Sequence, residues 1–155
     1  MNTINKILEY VVPKTLELNR VHISNELVKI NYAAIFCQSD IEYKNLNDEA
    51  SKNGKVIENT PTGPLFKFHN SVETVAGPLW LVKIRRPDPT RPQRGDADFT
   101  LNDYNSFKKK YLGNSEYFKL IERENFEMIE LRDPGFDVLS YFSSIPLILK
   151  LGIVQ

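Results

Sequence analysis

KIRRPDPTRPQRGDADF, residues 83 to 99, places five cations, three prolines and three aspartates in seventeen positions between two apolar segments. A solvated linker, a nucleic-acid grip and the rim of a binding pocket would all use such a composition. Pro87, Pro89 and Pro92 fix their own φ angles and remove three backbone donors, so the middle of the stretch cannot pair as a sheet strand. Its flanks can. LWLVKIR (79–85) leads in and DADFTL (96–101) leads out, both with strand character, and the stretch becomes a connection between two strand-bearing halves.

Those halves repeat one order of elements. In the first, INYAAIF (30–36) reads as a strand and SDIEYKNLNDEASKNG (39–54) as a helix capped by Ser39 or Asp40 and closed by Gly54. KVIEN (55–59), LFKFH (65–69) and LWLVKIR then supply three strands. In the second, DADFTL is followed by NDYNSFKKKYLG (102–113), a helix capped by Asn102 or Asp103, and by strands FKLIER (118–123), FEMIELR (126–132) and DVLSYFS (137–143). Both read βαβββ, offset by about 66 residues, too long for a solenoid and suited to a duplicated supersecondary unit. A four-stranded sheet with one helix leaves a face bare, so the two units are expected to pair as an eight-stranded cup.

Ahead of them, Ile4, Ile7, Leu8 and Val11 follow Thr3 with helical spacing, which predicts an amphipathic helix capped by Thr3 and ended or kinked by Pro13. Further helix is expected from Leu16 to Leu27, with Ser24 as a new cap. The division is thus a helical N-terminal extension over 1–28, acting as lid or flank, and a domain over 29–155 with units 29–86 and 95–143. The apolar C-terminal stretch SSIPLILKLGIVQ is shorter than the ~20 residues of a membrane span and is expected to pack on the domain or on a second subunit.

Twenty Lys and Arg balance twenty Asp and Glu over 155 residues, so the basic excess of a phosphate-gripping protein is missing. Prolines stand where a base-stacking platform would carry aromatics, and neither a nucleic acid nor a membrane is an expected partner. The one cysteine, Cys37, excludes an intramolecular disulfide, and with only two histidines a Cys/His zinc cage has few ligands. The reading is a cytoplasmic protein with Cys37 as buried packing.

Paired βαβββ units resemble the vicinal oxygen chelate superfamily, which includes glyoxalase I and extradiol dioxygenases. Within it, PLFKFHNSVETVAGPLWLVKIRRPDPTRPQRGDADF (64–99) is similar to the YecM-type branch of metal-binding proteins, which also joins an LFK-H strand to a Pro-rich connection ending in Gly and an acidic strand start. The resemblance implies a cup that binds a small molecule or performs enzymatic chemistry on it. It also implies metal ligands on the first and last strands of each unit. Those positions fall at Tyr32, Arg85, Asp98 and Ser140 or Tyr141. Asp98 alone is a good ligand among them, and a cation at Arg85 repels a divalent ion, so no stoichiometric transition metal is expected.

Strand alternation sends Lys83 and Arg85 to one face and Val82 and Ile84 to the other. An anion-recognising pocket is expected from Tyr32, Lys83, Arg85, Asp98 and Tyr141, with Arg85 gripping a carboxylate or phosphate and Asp98 as its counter-charge. The bland reading is that these charges face water or neutralise one another. Asp96, Asp98 and Glu130 form a weaker alternative, a set of oxygen ligands for a divalent metal. His69 is the candidate general base, set against the commoner role of a structural hydrogen-bonding histidine, while His22 lacks a chemical partner in the sequence. Lys108, Lys109 and Lys110 read as the solvated face of a helix. The alternative to small-molecule chemistry is a non-catalytic homodimeric interaction module.

Overall fold

The computed structural model describes residues 1–24 and 28–145. The chain runs α1 (Asn2–His22), β1 (Val28–Phe36), α2 (Asp40–Asn53), β2 (Gly54–Thr60), β3 (Gly63–Thr74), β4 (Gly77–Arg85), β5 (Gly95–Leu101), α3 (Tyr104–Tyr111), β6 (Phe118–Glu122), β7 (Glu127–Leu131) and β8 (Val138–Ser143). After α1 this is βαβββ twice, as the repeat predicted. Ser39 caps α2 by accepting from the Glu42 amide, and Asp103 caps α3 by accepting from the Ser106 amide.

The strands form one eight-stranded sheet in the order β2-β3-β4-β1-β5-β8-β7-β6. Each unit inserts its first strand parallel to its last, β1 beside β4 and β5 beside β8, and the units join through the antiparallel β1–β5 pair. The crossover of residues 86–94 arches over the C-terminal end of β1. There the Phe36 amide donates to the Arg94 carbonyl at 2.9 Å and the Cys37 amide to the Arg85 carbonyl at 3.1 Å.

The cations of the crossover are spent inside the fold. Arg94 donates to both carboxylate oxygens of Glu42 at 2.7 and 2.9 Å and to the Phe36 carbonyl at 2.9 Å, which ties the crossover to α2. The guanidinium holds the Glu42 carboxyl below its ordinary range. Arg86 donates to the Pro61 carbonyl and Arg91 pairs with Glu130 at 3.6 Å. The stretch is therefore an internally braced strap whose two ends become adjacent strands of β1.

The two faces of the sheet differ in kind. Ala33, Ile35, Phe66, Phe68, Val82, Ile84, Ala97, Phe99, Val138 and Phe142 point to the helix-bearing face and join residues of all three helices in one core. Cys37 belongs to that core, and burial pushes its thiol up to about 12, which leaves it protonated packing. The opposite face carries the polar residues and is the interior of the cup.

Two expectations about the N-terminal segment fail. First, α1 does not end at Pro13 but runs through it to His22. A proline inside a helix costs ~3 kcal/mol, but Ile4, Leu8, Val11, Val12 and Leu18 are almost fully buried, and at ~1.5–3 kcal/mol each their burial outweighs the break. Second, Thr3 is not the cap. It lies in the first turn, and the Thr3 and Ile4 amides donate to the Glu49 carboxylate of α2 at 3.2 and 2.7 Å, so a tertiary contact supplies what a local cap would. Helix α1 itself ends at His22. The backbone turns extended at Ile23, and the Ser24 amide donates to the Tyr111 hydroxyl at 3.1 Å. The expected helix at 25–27 lies outside the described residues, as does the C-terminal stretch from 146 onward. Nor is α1 a lid over the cup, since it packs on the helix-bearing face against β8, β5 and β1.

Candidate functional site

The register of the central strands sets the site. Directly paired residues share a face, and Lys83 of β4 lies opposite Ala34 of β1, which lies opposite Asp96 of β5. One step along, Tyr32 of β1 is opposite Asp98, Asp98 opposite Tyr141 of β8, and Tyr141 opposite Glu130 of β7. The cup interior therefore holds two charged rows. Around them lie two small apolar clusters, Ala34, Phe36 and Leu139 with Tyr141, and Leu65 and Leu81 with Tyr32, Ile57 and Trp80.

Of the residues expected from the sequence, Tyr32, Lys83, Arg85, Asp98 and Tyr141 all lie on this face. The expected Arg85–Asp98 pair does not form. Because β1 sits between β4 and β5, Arg85 is registered with Phe36 while Asp98 is registered with Tyr32, four residues or about 13 Å along the strand. Arg85 instead lies over the Phe36 ring at 4.6 Å and approaches Asp88 at 4.0 Å. Asp98, 1% exposed, accepts from Asn31 at 3.4 Å and Ser143 at 3.3 Å. Asn31 reaches it because the β1–β5 register shifts between Ile30 and Tyr32.

Asp96 is the polar residue that the fold satisfies least. It is 7% exposed, and its Oδ1 has no hydrogen-bond partner among the described residues. Burial pushes its carboxyl up to about 7, Asp98 adds to the rise, and Lys83 and Arg85 oppose it. Across β1, burial holds the Lys83 ammonium below its ordinary range, with Asp96 acting against that and Arg85 adding to it. Burial raises the Tyr32 and Tyr141 phenols as well, with Asp98 the next cause for Tyr32 and Asp96 for Tyr141. Tyr141 donates to Glu130 at 2.7 Å, and the same Glu130 oxygen faces Arg91.

The Arg91–Glu130 pair and the unpartnered burial of Asp96 were missed by sequence reasoning. Arg91 lies in the proline strap, where only the arch over β1 brings it to β7. Asp96 read as a metal ligand because its burial depends on which strands flank it. His69 is exposed, in the part of β3 where pairing with β4 is interrupted between Lys67 and Val72. His22, by contrast, does have a partner, Asp133 at 2.8 Å, and its ring packs on Tyr117, which pins the end of α1 to the β7–β8 turn. Lys109 and Lys110 lie on the exposed face of α3, and Lys108 pairs with Glu127 at 2.8 Å.

The ligand positions implied by the superfamily do not fit a metal. Tyr32 is held as a neutral phenol, Arg85 is a cation, and Ser140 faces the helix-bearing side, registered with Ala97 and Leu131. Asp96, Asp98 and Glu130 share the cup face, but among the described residues no three His, Cys, Asp or Glu groups converge as a metal-binding set. A cleft of about 540 Å³ lies elsewhere, between α1 and the far end of β3, bordered by Leu8, Pro13, Val72 and Val75. It gathers none of the cup's charged rows.

No protein-family profile matches this chain, and no curated protein matches it. Among solved structures it is similar to a structural-genomics protein designated EC4020, with a TM-score of 0.73 and 13% identity over 96% of this chain and 89% of that one. At that identity the likeness is one of fold. Among the described residues, no helix is long and apolar enough to cross a membrane.

Proposed function

We propose that the cup interior binds a small anionic molecule, in a domain of the vicinal oxygen chelate type, close to its YecM-like branch, whose usual metal ligands are replaced. The observation that carries this reading is Asp96, a buried carboxyl with an unpartnered oxygen, set across one strand from the half-buried Lys83. Burying such polarity opposes folding, and the fold gains no ion pair from it among the described residues. Groups kept at that cost suit a ligand. Arg85 supplies a planar donor fork for a carboxylate or phosphate, Lys83 a second positive charge and Tyr32 a neutral hydroxyl donor, while Tyr141, whose hydroxyl donates to Glu130, borders the site. The working compartment on this reading is the reducing cytoplasm.

The test is thermal unfolding of the wild type and of Arg85→Met against a panel of small carboxylates and phosphates. A ligand at 100 times its Kd should stabilise the wild type by about 2.7 kcal/mol, and the variant by clearly less. A panel that shifts neither protein would count against the reading.

The apolar clusters on the same face favour a second reading, a non-catalytic module whose cup is covered by another copy of the chain. Light scattering that finds a monomer at high protein concentration would remove it.

A further inference from the structure

We infer that Lys83 is a carbonyl-reactive amine, forming an imine with a small 2-oxo acid, and that Asp96 manages the proton of that step. This rests on the cup being the binding site and names the class of molecule it takes. The geometry comes first. Lys83 is half-buried on the cup face and forms no ion pair or hydrogen bond among the described residues. Asp96 lies two strand spacings away, about 9–10 Å between Cα atoms, so a small molecule held between them can touch both side chains. Arg85 follows Lys83 by two residues and faces the same way. A carboxylate on the Arg85 fork therefore sets the adjoining carbonyl carbon toward Lys83 Nζ. The 2-oxo acids carry those two groups on neighbouring carbons.

The environment matches the chemistry. A nucleophilic lysine must be uncharged when it attacks, and desolvation or a neighbouring cation favours that; here burial holds the Lys83 ammonium below its ordinary range, Asp96 opposes that and Arg85 adds to it. An acid for this step must hold a proton near neutral pH, and Asp96 is poised at about 7. The Lys83 lone pair adds to the carbonyl carbon, and one amine proton passes to the oxygen to give a carbinolamine. Protonated Asp96 then donates to the hydroxyl, the C–O bond breaks, water leaves, and the nitrogen lone pair closes the C=N bond. The products are an iminium at Lys83, a carboxylate at Asp96 and one water, so the charges created are opposite and adjacent. Tyr32, held neutral beside Asp98 and Asp96, can donate to the carbinolamine oxygen without changing the balance.

The test is reductive trapping of the full-length protein with glyoxylate or pyruvate and cyanoborohydride, which delivers hydride to the iminium carbon and leaves a stable secondary amine. Peptide mass mapping reads the modified lysine. Adduct should form first at Lys83, ahead of the exposed Lys109 and Lys110. Asp96→Asn should slow trapping at Lys83 while leaving the exposed lysines unchanged. Lys83→Arg should abolish the fast adduct.

Adduct spread evenly over the lysines, in a wild type that carboxylates still stabilise, would overturn the inference and leave the binding site standing. Even labelling together with no stabilisation by any carboxylate would overturn both.

Discussion

Replacing Asp96 by Asn should stabilise the folded chain progressively as pH rises from about 4 to 7. Burial pushes this carboxyl from an ordinary 3.8 up to about 7. Between those values the unfolded chain releases the proton while the folded chain keeps it. The contribution of the neutral carboxyl to stability is therefore complete below about pH 4, declines through the window, and is lost above about pH 7. Three units at 1.36 kcal/mol each give a ceiling of about 4 kcal/mol, and relaxation around the ionised group should bring the observed value to roughly 1–3 kcal/mol. Asparagine has nearly the same shape and stays neutral throughout. Urea denaturation of both proteins at several pH values gives the difference directly, provided the slope m stays constant between them. The difference should grow in favour of the variant across the window and then level off. A difference independent of pH, or one that grows toward acid, would refute the argument that the fold tolerates Asp96 at a cost.

Glu49→Ala removes the acceptor of two α1 amides and should destabilise by about 1–2 kcal/mol, read from the urea midpoint. Arg94→Met breaks the fork to Glu42 and the bond to the Phe36 carbonyl, and should lower stability by about 2 kcal/mol, with a smaller further loss when Glu42→Gln is added. Arg85→Met and Asp98→Ala should be additive within about 0.5 kcal/mol in a double-mutant cycle, because β1 separates the two residues.

The duplication was legible because local chemistry specifies each piece of it. Ser39 and Asp103 cap helices of the expected lengths, and prolines at 87, 89 and 92 stop a strand from crossing between the units. The facing of Lys83 and Arg85 followed from alternation alone, since Val82 and Ile84 could only be core. Which residues meet across strands was not legible. Arg85 and Asp98 lie at the two ends of a short connection, so sequence reasoning brings them together, yet the fold passes β1 between the strands that carry them. The same limit explains α1. Its cap is Glu49, more than forty residues away, and Pro13 is overruled by a buried face whose partners lie on β5 and β8. Asp96 looked like one half of an acidic pair; its missing hydrogen bond becomes visible only when both flanking strands are known.

The most direct test of the cup as a binding site is an amide chemical-shift titration of the ¹⁵N-labelled protein with pyruvate. The account predicts that the largest changes cluster at Tyr32, Ala34, Lys83, Arg85, Asp96 and Asp98, on three adjacent strands, and saturate together at one ligand per chain. Changes confined to the α1 cleft around Leu8 and Val72, or spread over the surface lysines without saturation, would contradict it.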